Sequence, residues 1–295
     1  MNKKPKCPIC KSHSRYWGSI RGTNEYSNIK KKKRQFQLYK CKLCGHGFFY
    51  PGVDNKFELL KYYNKDYAIS YDPDQSNKKF ELRKGQYILD IELIKKFLDK
   101  EEIYVLDYGC STGQFLNSMP SNWKKYGFEV NKFEIEYINT HYDDIIIFSE
   151  KSENYEKKFD LITLRGVIEH LFDFKELFSV INKIIKQNGL IYVCATPDFD
   201  SPCAKIYKSL WNQISAPMHY HQFTSTSIII LFAKNGFGLK ALYYPYIETP
   251  YAKFPDDSFK LISNIKKILS GGILTETEHA YPGNMMSLIF EKITN

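Results

Sequence analysis

The chain has 295 residues, 43% hydrophobic and 16% aromatic, enough to bury a large core beside a small module. It has no run of about 18 apolar residues and no apolar core behind Met1, which argues against membrane insertion and for a cytoplasmic location. The net charge of +9 is segregated: residues 1–50 hold 13 Lys/Arg against Glu25 alone, whereas the remainder sums to −3, so an anionic partner is expected near the N-terminus and a broad nucleic-acid surface is not.

Two Cys-x-x-Cys pairs, Cys7/Cys10 and Cys41/Cys44, stand thirty residues apart. Each pair forms a knuckle that turns two thiolates to one side, and two knuckles complete a tetrahedral zinc site. A reducing compartment disfavours disulfides, so the four sulfurs read as ligands of a structural Zn2+ with no open position for chemistry. The intervening stretch reads as a hairpin extended by a loop that carries the lysine-rich run 30–34. His13 and His46 read as bystanders. Gly47 to Pro51 closes the module, giving a zinc-ribbon-like unit over residues 1–52. A tyrosine-rich linker over 53–84 follows (Tyr62, Tyr63, Tyr67, Tyr71), and some of its hydroxyls are expected to line a cleft.

From residue 85 the pattern becomes alternating helix and strand. Apolar residues at helical spacing predict a helix over 79–99. Tyr104 to Leu106 reads as a buried strand with Asp107 at its end. Gly109 and Gly113 then bracket a turn into a helix over 112–119. Strand, glycine turn, helix is how an α/β sheet offers backbone N–H groups to a ligand at the carboxyl end of a strand. A second strand ends at Glu129, where a carboxylate can hold the two hydroxyls of a ribose. Further strands are expected at 145–148, 160–164 and 190–195, with a helix before the last that stops at Asn188-Gly189. A helix over 223–235, a strand over 239–244, a basic helix over 259–269 and a strand over 286–291 complete the chain. The fold class is α/β: a Rossmann-like, mostly parallel seven-stranded sheet with helices on both faces, spanning 85–295, plus the zinc-ribbon module.

The run Val105-Leu-Asp-Tyr-Gly-Cys-Ser-Thr-Gly113 resembles the first motif of class I S-adenosylmethionine-dependent methyltransferases. Phe128-Glu129, Phe159 to Leu164, Val167-Ile-Glu-His-Leu171 and Asn188 to Tyr192 match later motifs in order. Ser111 stands where that family usually has a third glycine. The four-cysteine module, the tyrosine-rich linker and Pro217-Met-His219 are similar to methyltransferases of sugar and surface-polysaccharide pathways. Sugar C-methyltransferases of that group carry a further C-terminal domain that has no counterpart in this sequence, which favours O-methylation.

The resemblance implies S-adenosyl-L-methionine as donor and a small-molecule acceptor, an anionic or phosphate- or nucleotide-linked sugar. Asp107, Gly109, Cys110 and Gly113 would surround the methionine part, Glu129 the ribose, and Arg165 and Gly166 the strand-end edge. His170 is the first candidate for a general base, His219 the alternative or an acceptor contact, and Glu169 an orienting or donor-binding group. His221 reads as structural or exposed, and Cys194 and Cys203 as core. An RNA methyltransferase and a non-catalytic methyltransferase-fold scaffold are the rival readings.

Overall fold

The computed structural model describes residues 5–22, 35–53, 55–61, 63, 77–149, 155–274, 277 and 280–293. The chain begins with two strands, Ser14–Arg21 (β1) and Gln35–Cys41 (β2), paired antiparallel, and a short third, Gly47–Phe49 (β3), on β2. The lysine-rich run 30–34 lies outside the described residues, as do Tyr62, Tyr67 and Tyr71. A one-turn helix, Lys56–Leu60 (α1), and a long one, Asn77–Lys95 (α2), lead into the sheet. No helix among the described residues is long and apolar enough to cross a membrane.

The next units are Tyr104–Tyr108 (β4), Gln114–Asn117 (α3), Lys124–Phe128 (β5), Lys132–His141 (α4), Ile145–Ile147 (β6) and Phe159–Arg165 (β7). They are followed by Phe174–Ile184 (α5), Ile185–Pro197 (β8), Pro202–Tyr207 (α6), His221–Gln222 (β9) and Ser225–Ala233 (α7). Phe237–Tyr243 (β10), Asp256–Leu269 (α8) and Met285–Lys292 (β11) end the chain. Strands buried on both faces read as nearly continuous apolar runs. β7, Phe-Asp-Leu-Ile-Thr-Leu-Arg, is buried at all but its last position. Helix α5 shows the amphipathic pattern instead, burying Leu177, Phe178, Ile181 and Ile184, with Asp173 capping its start through the Lys175 N–H.

The seven-stranded sheet runs β10-β11-β8-β7-β4-β5-β6. Strands β4 to β8 within it are parallel; β11 is antiparallel to both neighbours. From β4 the chain moves first to one side (β5, β6) and then to the other (β7, β8). The crevice between the carboxyl ends of β4 and β7 is therefore the topological switch point where ligands bind in such sheets.

Several expected boundaries shift by a few residues: the helix foreseen over 79–99 ends at Lys95 and the one over 259–269 starts at Asp256. The helix foreseen over 112–119 is a single turn, α3. The helix foreseen to stop at Asn188-Gly189 ends at Ile184, because Ile185 already pairs with Phe159 in β8. Asn188 instead takes a left-handed conformation (φ 59°) inside β8, where the register against β7 shifts.

The second sheet, β1-β2-β3-β9, contains a strand from each side of the expected boundary at residue 52. Gly47 pairs with Gln222 and Phe48 with His221. A Cβ on Gly47 would lie 2.7 Å from the Phe199 ring and 2.8 Å from the Gln222 Cβ, so only glycine lets the two backbones meet. Cys7, Ile9, Cys41, Cys44 and Phe48 belong to the same hydrophobic core as Leu106, Ile162 and Val193 of the large sheet.

Candidate active site

A cavity of about 530 Å³ opens at the carboxyl ends of β4, β5 and β7. Six of the seven residues that the sequence assigns to the donor line it: Asp107, Gly109, Cys110, Glu129, Arg165 and Gly166. Gly113 does not. It precedes α3 in a left-handed conformation (φ 78°), where a Cβ would press on Ile138 and Ile145. Gly109 is constrained twice, by φ 85° and by Val167, whose Cγ2 would stand 2.6 Å from a Cβ. Ser111 is also left-handed (φ 49°), which explains why glycine suits that position in similar sequences.

Asp107 is 2% exposed and accepts a hydrogen bond from the Thr163 hydroxyl at 2.5 Å. Burial pushes its carboxyl up to about 6, against the pull of Thr163 and Arg165. The Glu129 carboxylate is held by three backbone N–H groups: Ser111 at 3.0 Å on one oxygen, Val130 at 2.6 Å and Asn131 at 2.9 Å on the other. Burial still raises it above its ordinary value.

A third carboxylate was not foreseen. Glu134, in the first turn of α4, accepts from the Ser111 hydroxyl at 2.6 Å; burial and then the charge of Glu129 push it up to about 7. Its sequence signal was the spacing Asn131-x-x-Glu134, a helix cap followed three residues on by an acid that points back to the turn.

Arg165 is a cation on this side, and Asp90 already engages it: its Nε donates to Asp90 at 3.2 Å. Tyr192 and Gln86 donate to the other Asp90 oxygen, each at 3.0 Å. Burial lowers the Arg165 pKa, but Asp90 together with Cys194, Tyr87 and Tyr251 more than offsets this and the guanidinium stays charged. Its face lies 4.6 Å from the Tyr87 ring. The Cys110 thiol is pushed well up by burial and is no nucleophile.

Opposite lies a second group. Glu169 and His170 sit in the short 3-10 turn Ile168–His170 after β7, and His219 on the segment between α6 and β9. One ligand-type atom from each lies within 4.8 Å of the others. The two imidazoles meet edge to face, 4.7 Å between centroids. His219 Nδ1–H donates to the Gln213 carbonyl at 2.6 Å, so Nε2 carries the free lone pair. His170 Nδ1 is 2.9 Å from the Tyr63 hydroxyl, which brings one linker tyrosine into the cavity wall. Glu169, 2% exposed, accepts from the Thr196 hydroxyl at 3.2 Å.

Burial sets the protonation of this wall: it lifts Glu169 to about 7, drops His219 to about 4, and, together with His219, holds His170 well below its ordinary value against a hydrogen bond to the Met218 carbonyl. Both rings are therefore neutral near pH 7.

His221 is buried rather than exposed. Its Nδ1 lies 3.0 Å from His46 Nε2, joining the ribbon to β9. His46 is thus a partner of His221. Cys194 and Cys203 are buried in the core.

At the far end of the ribbon, Cys7, Cys10, Cys41 and Cys44 place all four sulfurs within 4.8 Å of one another, with Cys7–Cys44 at 3.7 Å and Cys10–Cys41 at 3.4 Å. A tetrahedron with metal–sulfur legs of 2.3 Å has edges of about 3.8 Å. Cys41 Sγ also accepts from the N–H groups of Leu43 (3.4 Å) and Cys44 (3.5 Å), bonds that favour a thiolate.

A family of methyltransferase domains matches residues 81–242, from within α2 to the end of β10. No sequence among the curated proteins matches the chain. Among solved structures, an S-adenosylmethionine-dependent methyltransferase from Thermotoga maritima aligns at 15% identity over 77% of this chain and 99% of its own, with a TM-score of 0.50. A Bacillus halodurans protein aligns at 12% identity over 70% and 99%, also at 0.50. These likenesses speak for the fold alone. The family match, the fold and the cavity at its switch point together place the chain: it belongs to the methyltransferase-domain family and is an S-adenosylmethionine-dependent methyltransferase.

Proposed function

We propose that the enzyme methylates a hydroxyl oxygen of a sugar, or of a phosphate- or nucleotide-linked sugar, and that the acceptor docks against the wall of Glu169, His170 and His219. The carrying observation is that this wall and the carboxylate-lined turn at Asp107 and Glu129 share one cavity. Glu129 takes the ribose hydroxyls of the donor. Asp107 faces its cationic amino-acid end, with Arg165 for the carboxylate. The sulfonium already activates the methyl group, so the protein mainly aligns an oxygen in line with it. A hydroxyl is a weak nucleophile, and its proton must leave as the C–O bond forms. His170 is the first candidate to draw it off and His219, with its free Nε2, the alternative.

Cys7, Cys10, Cys41 and Cys44 would hold a structural Zn2+. With four sulfur ligands it would order the ribbon and take no part in the transfer.

The test is methyl transfer from labelled donor to a panel of nucleotide sugars and phosphorylated sugars, with bulk RNA as a separate arm. Labelled product on a sugar hydroxyl supports the reading. Transfer to RNA alone, or donor binding without transfer to any sugar, rejects it.

A further inference from the structure

The wall opposite the donor holds more than proton acceptors. We infer that Glu169, His170 and His219 form a divalent-cation site of the two-histidine, one-carboxylate type, separate from the four-cysteine cluster, and that its cation presents the acceptor hydroxyl to the donor methyl. The inference rests on the reading that this wall faces the acceptor.

Three observations carry it. The first is convergence: a carboxylate oxygen and two imidazole nitrogens, from the turn after β7 and the segment between α6 and β9, lie within 4.8 Å of one another at the edge of the cavity. Ligands about 2.1 Å from a cation stand roughly 3–3.4 Å apart, so the three need only draw in by about an ångström or so.

The second is the support behind each ligand. His219 is fixed through Nδ1 by the Gln213 carbonyl, Glu169 is held by Thr196, and Tyr63 faces His170 Nδ1. Metal-binding histidines characteristically have the other nitrogen held in this way, which fixes the tautomer and aims the lone pair. In the loaded state His170 keeps its one proton on Nδ1, given to the Tyr63 oxygen, and releases the Met218 carbonyl.

The third is the carboxylate. Glu169 is 2% exposed, its carboxylate accepts from the Thr196 hydroxyl, and among the described residues no Lys or Arg forms an ion pair with it. A buried carboxylate without a cation is costly, and a divalent ion supplies the missing charge.

Two imidazoles and one carboxylate suit a first-row transition cation better than calcium or magnesium. Its remaining positions face the cavity and fit hydroxyl oxygens, so an acceptor with two neighbouring hydroxyls is the favoured class. With the cation bound both rings serve as ligands and neither takes the proton, so this arrangement replaces the base role given to His170 and His219 while keeping the acceptor and its docking wall. The coordinated hydroxyl passes its proton to water at the cavity mouth. Its oxygen forms the new bond to the methyl carbon as the sulfur–carbon bond breaks, and S-adenosylhomocysteine leaves neutral at sulfur.

Mn2+ is the probe, because it is paramagnetic and a poor match for four thiolates. The full chain, with zinc retained on the cysteines as checked by metal analysis, is titrated while the signal of free Mn2+ is followed by electron paramagnetic resonance. One Mn2+ per chain is expected, weakened roughly tenfold or more in Glu169→Gln and in His219→Asn. Donor affinity by calorimetry stays within about twofold in at least one of these variants, which shows that the fold survives. No bound Mn2+ up to about 1 mM, or equal binding by wild type and both variants, overturns the site. Methyl transfer to a sugar that persists after a chelator has removed every metal but zinc overturns the cation's role while leaving the proposed acceptor standing. A bound Mn2+ with no transfer to any sugar keeps the site and rejects the acceptor class.

Discussion

Three carboxylates, Asp107, Glu129 and Glu134, surround one turn, and Arg165 beside them is paired with Asp90. Asp107 rises from 3.8 to about 6 and Glu134 from 4.5 to about 7, so the folded protein holds protons there that the unfolded chain has lost. For an acid with a raised folded pKa, stability is full below the unfolded value and declines as pH rises through the folded one. The donor-free enzyme should therefore lose stability between about pH 4 and pH 7 from these groups, and Glu134→Gln should flatten that slope. Thermal unfolding against pH checks it, with an expected gain on the order of 2–3 kcal/mol for the variant above pH 7. A cationic donor reverses the penalty at Asp107, so its binding near pH 6 should release protons, measurable by calorimetry in buffers of different ionisation enthalpy. Gly109→Ala should cost about 2–3 kcal/mol, seen as a lower Tm and weaker donor binding, because both its φ and Val167 reject a Cβ. The positions of Asp107 and Glu129 were legible in the sequence because each stands at the end of an expected strand, Asp107 behind the apolar run Tyr104 to Leu106. Thr163 behind Asp107 and Asp90 behind Arg165 were not, since such pairings cross 56 and 75 residues and leave no local pattern.

Among the elements, the long buried strands were legible, and so was a mostly parallel seven-stranded sheet from their alternation with helices; the order of its strands was not. The failures have a common cause in tertiary pairing. Periodicity carried α5 past Ile184, but pairing with Phe159 takes Ile185 into a strand. Strand β9 is two residues long, too short for any period, and exists because β3 leaves it an edge to join. The four cysteines were legible from spacing alone. Because Cys41 ends β2 and the ribbon sheet includes β9, Cys41→Ser, or removal of the proposed zinc, should lower Tm by roughly 10 °C, in keeping with a loss of several kcal/mol in a chain of this size. Calorimetry should show one transition rather than a separate melting of residues 1–52, since the two parts share a core.

For the whole molecule, the segregation of charge is the strongest unassigned feature: +12 in residues 1–50 against −3 in the rest. Replacing Lys30, Lys31, Lys32 and Lys33 by Gln should raise KM for an anionic acceptor several-fold at low ionic strength with little change in kcat, and the difference should shrink by about 0.5 M salt. An unchanged KM at low salt would separate the basic end from acceptor binding. The acceptor itself was the least legible property, because Tyr63, His170, Gln213 and His219 meet only in the fold and the same fold serves many acceptors.

The pairing of Phe48 with His221 has a consequence for how the enzyme fails. His219, two residues before that pair, hangs on a loop whose far end is stitched to the ribbon, whereas Gly109, Ser111 and Glu129 belong to the large sheet and its turns. Protein stripped of zinc, assayed well below its lowered Tm, should still bind donor with nearly unchanged Kd while transfer collapses. With zinc on the four cysteines as proposed, metal supply would act as a throttle on turnover without touching cofactor affinity.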